Sequence, residues 1–87
     1  MIFDLFSKNK ETNPVPDILK LIPTESKLVD LEFLDDLRSV CYWHCGYSQV
    51  FSNKYLMLLL LRMSEEGLIV IEPVKTTLGL LYLTARK

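Results

Sequence analysis

The stretch Ser52–Gly67, SNKYLMLLLLRMSEEG, decides how the rest of the chain is read. Ser52 supplies a hydroxyl of the kind that caps helix N-termini, the following residues are strong helix formers, and Gly67 stands where a left-handed C-terminal residue is wanted. These signals predict a helix of about four turns. At 3.6 residues per turn, Leu56, Leu59, Leu60 and Met63 share one face, while Met57, Leu58 and Leu61 fall on the sides and back among Lys54, Arg62 and Glu65. The helix is therefore apolar nearly all round. A small domain covers one face of a helix but seldom both, so the second face asks for a partner.

On the C-terminal side of Gly67 the period changes from helical to extended. Leu68-Ile69-Val70-Ile71 is rich in β-branched residues, and Leu80-Leu81-Tyr82-Leu83-Thr84 mirrors it after the loop Pro73–Gly79, PVKTTLG. The pair reads as a β-hairpin packed beside the helices. On the N-terminal side, Tyr47–Phe51 connects to a second long helix starting at Asp30. Its apolar positions recur at Leu31, Leu34, Leu37, Cys41 and Cys45, and Phe33, Val40 and His44 widen the stripe. Asp30 is its expected N-cap, Glu32 suits the positive end of its dipole, and Gly46 is its stop. Glu32, Asp35, Asp36 and Ser39 form its solvated face. Trp43 falls on that polar side, either as an anchor for a partner or as a side chain covered by the N-terminal arm or the Tyr47–Phe51 loop.

Further upstream, Asn13-Pro14-Val15-Pro16 breaks regular structure, Pro16 and Asp17 open a short helix through Ile22, and Pro23 stops it. Thr24–Lys27 is a turn, and Leu28-Val29 is a minimal strand or an extended connection. Met1–Ser7, MIFDLFS, precedes the polar linker 8–13 and reads as an arm folded over an open core edge. A membrane-surface anchor is the sharper reading of the same residues, but the segment is short and has few cations nearby.

Eighty-seven residues make one domain, with 49% hydrophobic and 24% charged side chains, the composition of a folded chain rather than a disordered one. The formal net charge is -1 with a pI near 5.7, far from the basic balance that phosphate binding brings. The longest apolar run, Tyr55–Leu61, is seven residues, whereas a bilayer span needs about 20. Asp4 interrupts the apolar start of the chain, so no secretory signal is read there. Two cysteines in such a chain read as reduced core residues, and the expected location is the cytoplasm.

The order helix, helix, helix, hairpin is similar to that of the winged-helix (winged helix-turn-helix) family over Ser52–Thr84. In that family a recognition helix ends in an E-x-G-L-I pattern and is followed by a wing whose second strand ends in Y-x-L-T. This chain has Glu65-Glu66-Gly67-Leu68-Ile69, and Leu81-Tyr82-Leu83-Thr84 with no residue between the Tyr and the Leu. Leu31–Ser39 corresponds to the first helix of the helix-turn-helix unit. The resemblance implies a fold that is α+β and mainly helical: a three-helix winged-helix-like core with a C-terminal two-stranded β-hairpin, residues 1–12 forming an arm and 13–87 the domain.

The resemblance also implies a DNA-reading surface. Asn53 and Lys54 on the third helix, Lys75, Thr76 and Thr77 at the wing tip, and Arg86 and Lys87 at the chain's end would carry it. Bases are read by hydrogen-bonding side chains and phosphates by cations, yet Met57, Leu58 and Leu61 stand where such groups belong. Those three residues suit the dry centre of a protein interface instead.

Other chemistry is sparse. Cys41, His44 and Cys45 are three metal-ligand types on one helix, but no second ligand pair exists in the sequence, and core packing is the plainer reading. A Cys–His catalytic pair on an apolar stripe would keep its thiol protonated. Neither a nucleophile elbow nor a phosphate-binding glycine loop is present. The sequence therefore reads as a non-enzymatic protein-binding module without cofactor or metal, such as a regulator, an inhibitor or an immunity or antitoxin-like protein. Met57, Leu58, Leu61 and Trp43 would meet another protein or a second copy in a dimer. A winged-helix transcriptional regulator is the alternative; no membrane partner is expected.

Overall fold

The computed structural model describes residues 13–46 and 50–87. The expectations for the N-terminal arm 1–12 and for Tyr47 lie outside them. The described chain is α+β and mainly helical, in the order α1 (Val15–Leu21), β1 (Lys27–Leu28), α2 (Leu31–Cys45), α3 (Asn53–Glu65), β2 (Ile69–Thr76) and β3 (Gly79–Arg86).

Local chemistry sets each helix boundary. Asn13 Oδ1 accepts the Val15 amide at 3.0 Å and Pro16 sits in the first turn of α1, where a missing N–H costs nothing. In α2, Asp30 Oδ1 accepts the Phe33 amide at 2.8 Å. Ser52 Oγ does the same for Tyr55 at 3.1 Å in α3. Substituting such a cap by Ala costs about 1 kcal/mol. The end of α3 is a Schellman arrangement: Leu68 donates to the Met63 carbonyl and Gly67 to that of Ser64, both at 3.0 Å. Gly67 takes φ 79° there, a conformation costly for any residue with a Cβ.

The sheet has the order β1-β3-β2, all antiparallel, so a third, two-residue strand joins the expected hairpin. The expected loop Pro73–Gly79 is shorter than read from the sequence: β2 runs through Pro73 to Thr76 and β3 begins at Gly79. Proline is tolerated because β2 is an edge strand, where the missing N–H removes no ladder bond.

One core joins the elements. Val15, Ile18 and Ile22 come from the α1 segment, Phe33, Leu34, Leu37 and Cys41 from α2, Leu56, Leu59, Leu60 and Met63 from α3, and Ile69 from β2. Each large aliphatic side chain buried in this way contributes about 1.5–3 kcal/mol. Phe51 completes the core from the connection before α3, edge-on to Tyr42 and Tyr55 with ring centroids 5.1 and 5.3 Å away. Leu31 is the exception to the predicted stripe: it is 69% exposed. Six residues at 100° each set it about 120° around the helix from Leu37, the centre of the buried face.

Candidate interaction surface

Helix α3 buries Leu56, Leu59, Leu60 and Met63 and turns the opposite stripe outward. At 100° per residue, Leu58 and Leu61 lie about 160° and 140° around the axis from Leu56, and Lys54 and Glu65 lie on the same line. Leu58 is 45% exposed and Leu61 44%. The stripe thus has two adjacent leucines at its centre, with a cation one turn before them and an acid one turn after. The exposed Arg62–Glu66 pair, at 3.7 Å, flanks them. Met57 does not belong to this stripe as fully as the sequence suggested. It is half-buried against the core, because it sits about 100° from Leu56, on the flank of the helix.

Trp43 is 85% exposed on α2, so no described residue covers it. It continues the solvated row of Glu32, Asp36 and Ser39 at helical spacing.

The start of α3 is held by a residue that the sequence reading overlooked. Arg38, on α2, donates from Nε to the Phe51 carbonyl at 2.8 Å, and its other two nitrogens reach Asp35 and Asn53. A planar guanidinium with three nitrogens in a fixed fork satisfies these acceptors together. The consequence is that the Asn53 side-chain oxygen is engaged within the fold, a different role from the base reader implied by the winged-helix resemblance.

The remaining DNA-directed residues of the hairpin lie at its two ends, and Lys54 stands on a separate element. Lys54 is exposed on α3, and Lys75 is exposed beside the hairpin tip. At the tip, Thr76 Oγ1 donates to the Gly79 carbonyl at 2.9 Å and accepts the Leu78 amide at 3.2 Å, which closes the turn around the exposed Thr77. Arg86 is registered opposite Ile69, at the other end of the hairpin, and Lys87 follows it. Six residues along a strand separate Ile69 from Lys75, about 20 Å.

Reactive groups are turned inward. Cys41 is buried, and desolvation followed by the nearby Cys45 pushes its thiol up to about 12; burial also raises Cys45. Desolvation raises Tyr55 as well, with the two cysteines adding to it. These groups stay neutral at ordinary pH, where a thiol is a poor nucleophile. His44 Nε2 meets Asp17 Oδ2 at 2.6 Å, tying the end of α2 to α1, and Asp17 also pairs with Lys20 at 3.3 Å. The hydrogen bond to His44, then that to Lys20, holds the Asp17 carboxyl below its usual range. Among the described residues no three His, Cys, Asp or Glu side chains gather as a metal site, and no helix is long and apolar enough to cross a membrane.

The outer side of the sheet is a second feature not recognised in the sequence. Register fixes it: Val70 pairs with Ala85, Glu72 with Leu83, Val74 with Leu81, and Leu28 with Leu83. Paired residues share a face, and the opposite face holds the buried Ile69 and Thr84, so this row points away from the helices. The signal was present in Leu68–Ile71 and Leu80–Leu83: apolar runs without polar alternation mark strands covered on both sides.

Comparison of the chain with protein-family models, curated proteins and solved structures gave no match in any of the three. The geometry therefore defines the class: an α+β, mainly helical domain with reactive groups held inside and apolar groups presented on α3 and on the outer sheet face.

Proposed function

We propose that the chain is a non-enzymatic protein-binding module, acting as a regulator or inhibitor by docking another protein against the outer stripe of α3. The carrying observation is the pair Leu58 and Leu61, about half exposed and directly opposite a fully buried face. Folding needs no leucine at those two points. An interface does: its centre excludes charge and its rim carries it, which is the order Lys54, Leu58, Leu61, Glu65 along the stripe. Trp43 supplies a second large anchor on α2.

The test is a photocrosslinking side chain placed at Leu58, with the exposed Thr24 between α1 and β1 as the control position, in cells that make the protein. The expected result is one discrete protein adduct at position 58 and none at 24, abolished by Leu61→Glu in a chain that keeps its far-UV circular dichroism. Equal labelling at both positions, or none at 58, refutes the reading. Steeply salt-dependent binding to duplex DNA, removed by changing Lys54 and Lys75, would replace it with the winged-helix transcriptional regulator.

A further inference from the structure

The outer stripe of α3 is complementary to itself. Its residues stand at positions 54, 58, 61 and 65, and a two-fold axis crossing the stripe midway between positions 59 and 60 exchanges Lys54 with Glu65 and Leu58 with Leu61. The same operation exchanges the buried Leu56 with Met63, Leu59 with Leu60, and the half-buried Tyr55 with Ser64, so the exposed stripe maps onto itself. At 1.5 Å per residue the two leucines lie about 2 Å from the axis along the helix, and Lys54 and Glu65 about 8 Å from it on opposite sides.

We propose that the occupant of this stripe is a second copy of the chain, its α3 antiparallel to the first; the inference rests on the docking reading of α3 and names the partner. Charge selects both the occupant and its direction. In antiparallel packing each Lys54 stands level with Glu65 of the other copy, giving two ion pairs at the rim while Leu58 and Leu61 meet across the axis at the centre. Parallel packing would set Lys54 against Lys54 and Glu65 against Glu65, and would align the two helix macrodipoles as well. A partner of uniform charge, such as an acidic peptide, would meet one end of the stripe favourably and the other unfavourably. The neighbouring Arg62 does not upset this balance, because Glu66 of its own helix pairs with it at 3.7 Å.

Helix length sets the expected strength. The 13 residues of α3 span about 20 Å, and the stripe brings two leucines per copy to the centre of the contact. One such helix pair is smaller than a standard specific interface, so the dimer is a weak one, dissociating at roughly 100 µM. It forms where copies are concentrated and separates on dilution.

Sedimentation velocity of the full chain at low salt, from about 1 to about 500 µM, tests this. The expected result is a rise from monomer to dimer across the series. Lys54→Glu and Glu65→Lys, each alone, should weaken association about tenfold, because each sets two like-charge contacts where two ion pairs stood. An equimolar mixture of the two variants should recover it, since carboxylates at both positions of one chain then meet cations at both positions of the other. Amide NMR shifts of the unsubstituted, isotopically labelled chain on dilution should concentrate at residues 54–65, a readout that does not depend on any variant folding. A chain that stays monomeric at the highest concentration, a dimer indifferent to both substitutions, or a mixture that does not recover overturns the proposal. The photocrosslink at position 58 separates this failure from that of the docking reading. An adduct of twice the chain's mass supports the second copy, an adduct of any other mass overturns it and leaves docking on α3 standing, and the absence of an adduct sinks both.

Discussion

Four consecutive leucines in α3 allow burial to be separated from every other effect of a substitution. Leu59 is 1% and Leu60 0% exposed, whereas Leu58 and Leu61 are close to half exposed. Leu→Ala at each position removes the same atoms from the same helix and brings the same small gain in helix propensity, about 0.2 kcal/mol. At Leu59 and Leu60 the change also leaves a cavity, and the cost is about 2.7–5 kcal/mol. At Leu58 and Leu61, solvent fills the space. Only the buried half of a transfer free energy of about 1.5–3 kcal/mol is lost, which leaves roughly 1 kcal/mol after the propensity gain. With a urea m-value of about 1–1.5 kcal/mol/M for a domain of this size, the two pairs of midpoints should differ by more than about 1 M. The assay is urea unfolding followed by far-UV circular dichroism, because the sole tryptophan is exposed and reports poorly on folding. It is run near 1 µM, where self-association does not add concentration-dependent stability. Equal losses at all four positions, or a larger loss at Leu58 or Leu61 than at Leu59, would refute both the assigned face of α3 and the docking surface built on it.

Arg38→Lys should be as damaging as Arg38→Met, within about 0.5 kcal/mol of it, and each should cost about 1–3 kcal/mol, because one ammonium cannot replace a three-nitrogen fork. Faster hydrogen exchange at Phe51–Tyr55 would locate the effect, and full rescue by Lys would contradict it. Asp17 has a depressed folded-state pKa, so its contribution is present above the ordinary carboxylate value of 3.8 and lost as pH falls through the lower folded value. Asp17→Asn should therefore be less stable than the parent at pH 7, with the gap closing below about pH 4. Cys41 has the opposite sign. Its folded pKa of about 12 stands above the unfolded 9.0, so its stabilisation is complete below pH 9 and is lost as pH rises toward 12. In native protein at pH 8 a thiol reagent should leave Cys41 unmodified, and urea should expose it; rapid native labelling would disprove its burial.

The helix boundaries were legible because their causes are local. Asp30, Gly46, Ser52 and Gly67 each act within a few residues, through a side-chain oxygen or a positive φ, and each stands where the sequence reading placed it. The buried face of α3 was equally plain from its period. Strand extent was not, because Pro73 reads as a breaker until it is known that β2 has a free edge, which is a property of strand order. Arg38 was hidden for a related reason. Its acceptors Phe51 and Asn53 are 13 and 15 residues away, and an arginine on a helix gives no sign of what it will reach. Trp43 and Met57 show the limits of angular reading alone. Trp43 is exposed as its angle predicts, while a long side chain on the flank, such as Met57, bends back onto the core.

The apolar surplus has a consistent arrangement. A core formed by α1, α2, α3 and the base of the hairpin uses one side of α3 and one side of the sheet, and on each element the apolar residues continue onto the other side. Scattered leucines on a surface need no explanation, but Leu58 with Leu61, and Leu28, Val70, Leu81 with Leu83, are contiguous by helix angle and strand register. The charges are distributed in the complementary way. Glu32, Asp35 and Asp36 line the outside of α2, Lys75 marks the hairpin tip and Arg86 its base, and Glu72 stands opposite Leu83 among the apolar residues of the outer sheet face. An isolated domain gains nothing from that partition, since a lysine or glutamate at Leu58 or Leu81 would face water and improve solubility. On α3 the partition matches the docking surface proposed for Leu58 and Leu61, with Lys54 and Glu65 at its two ends.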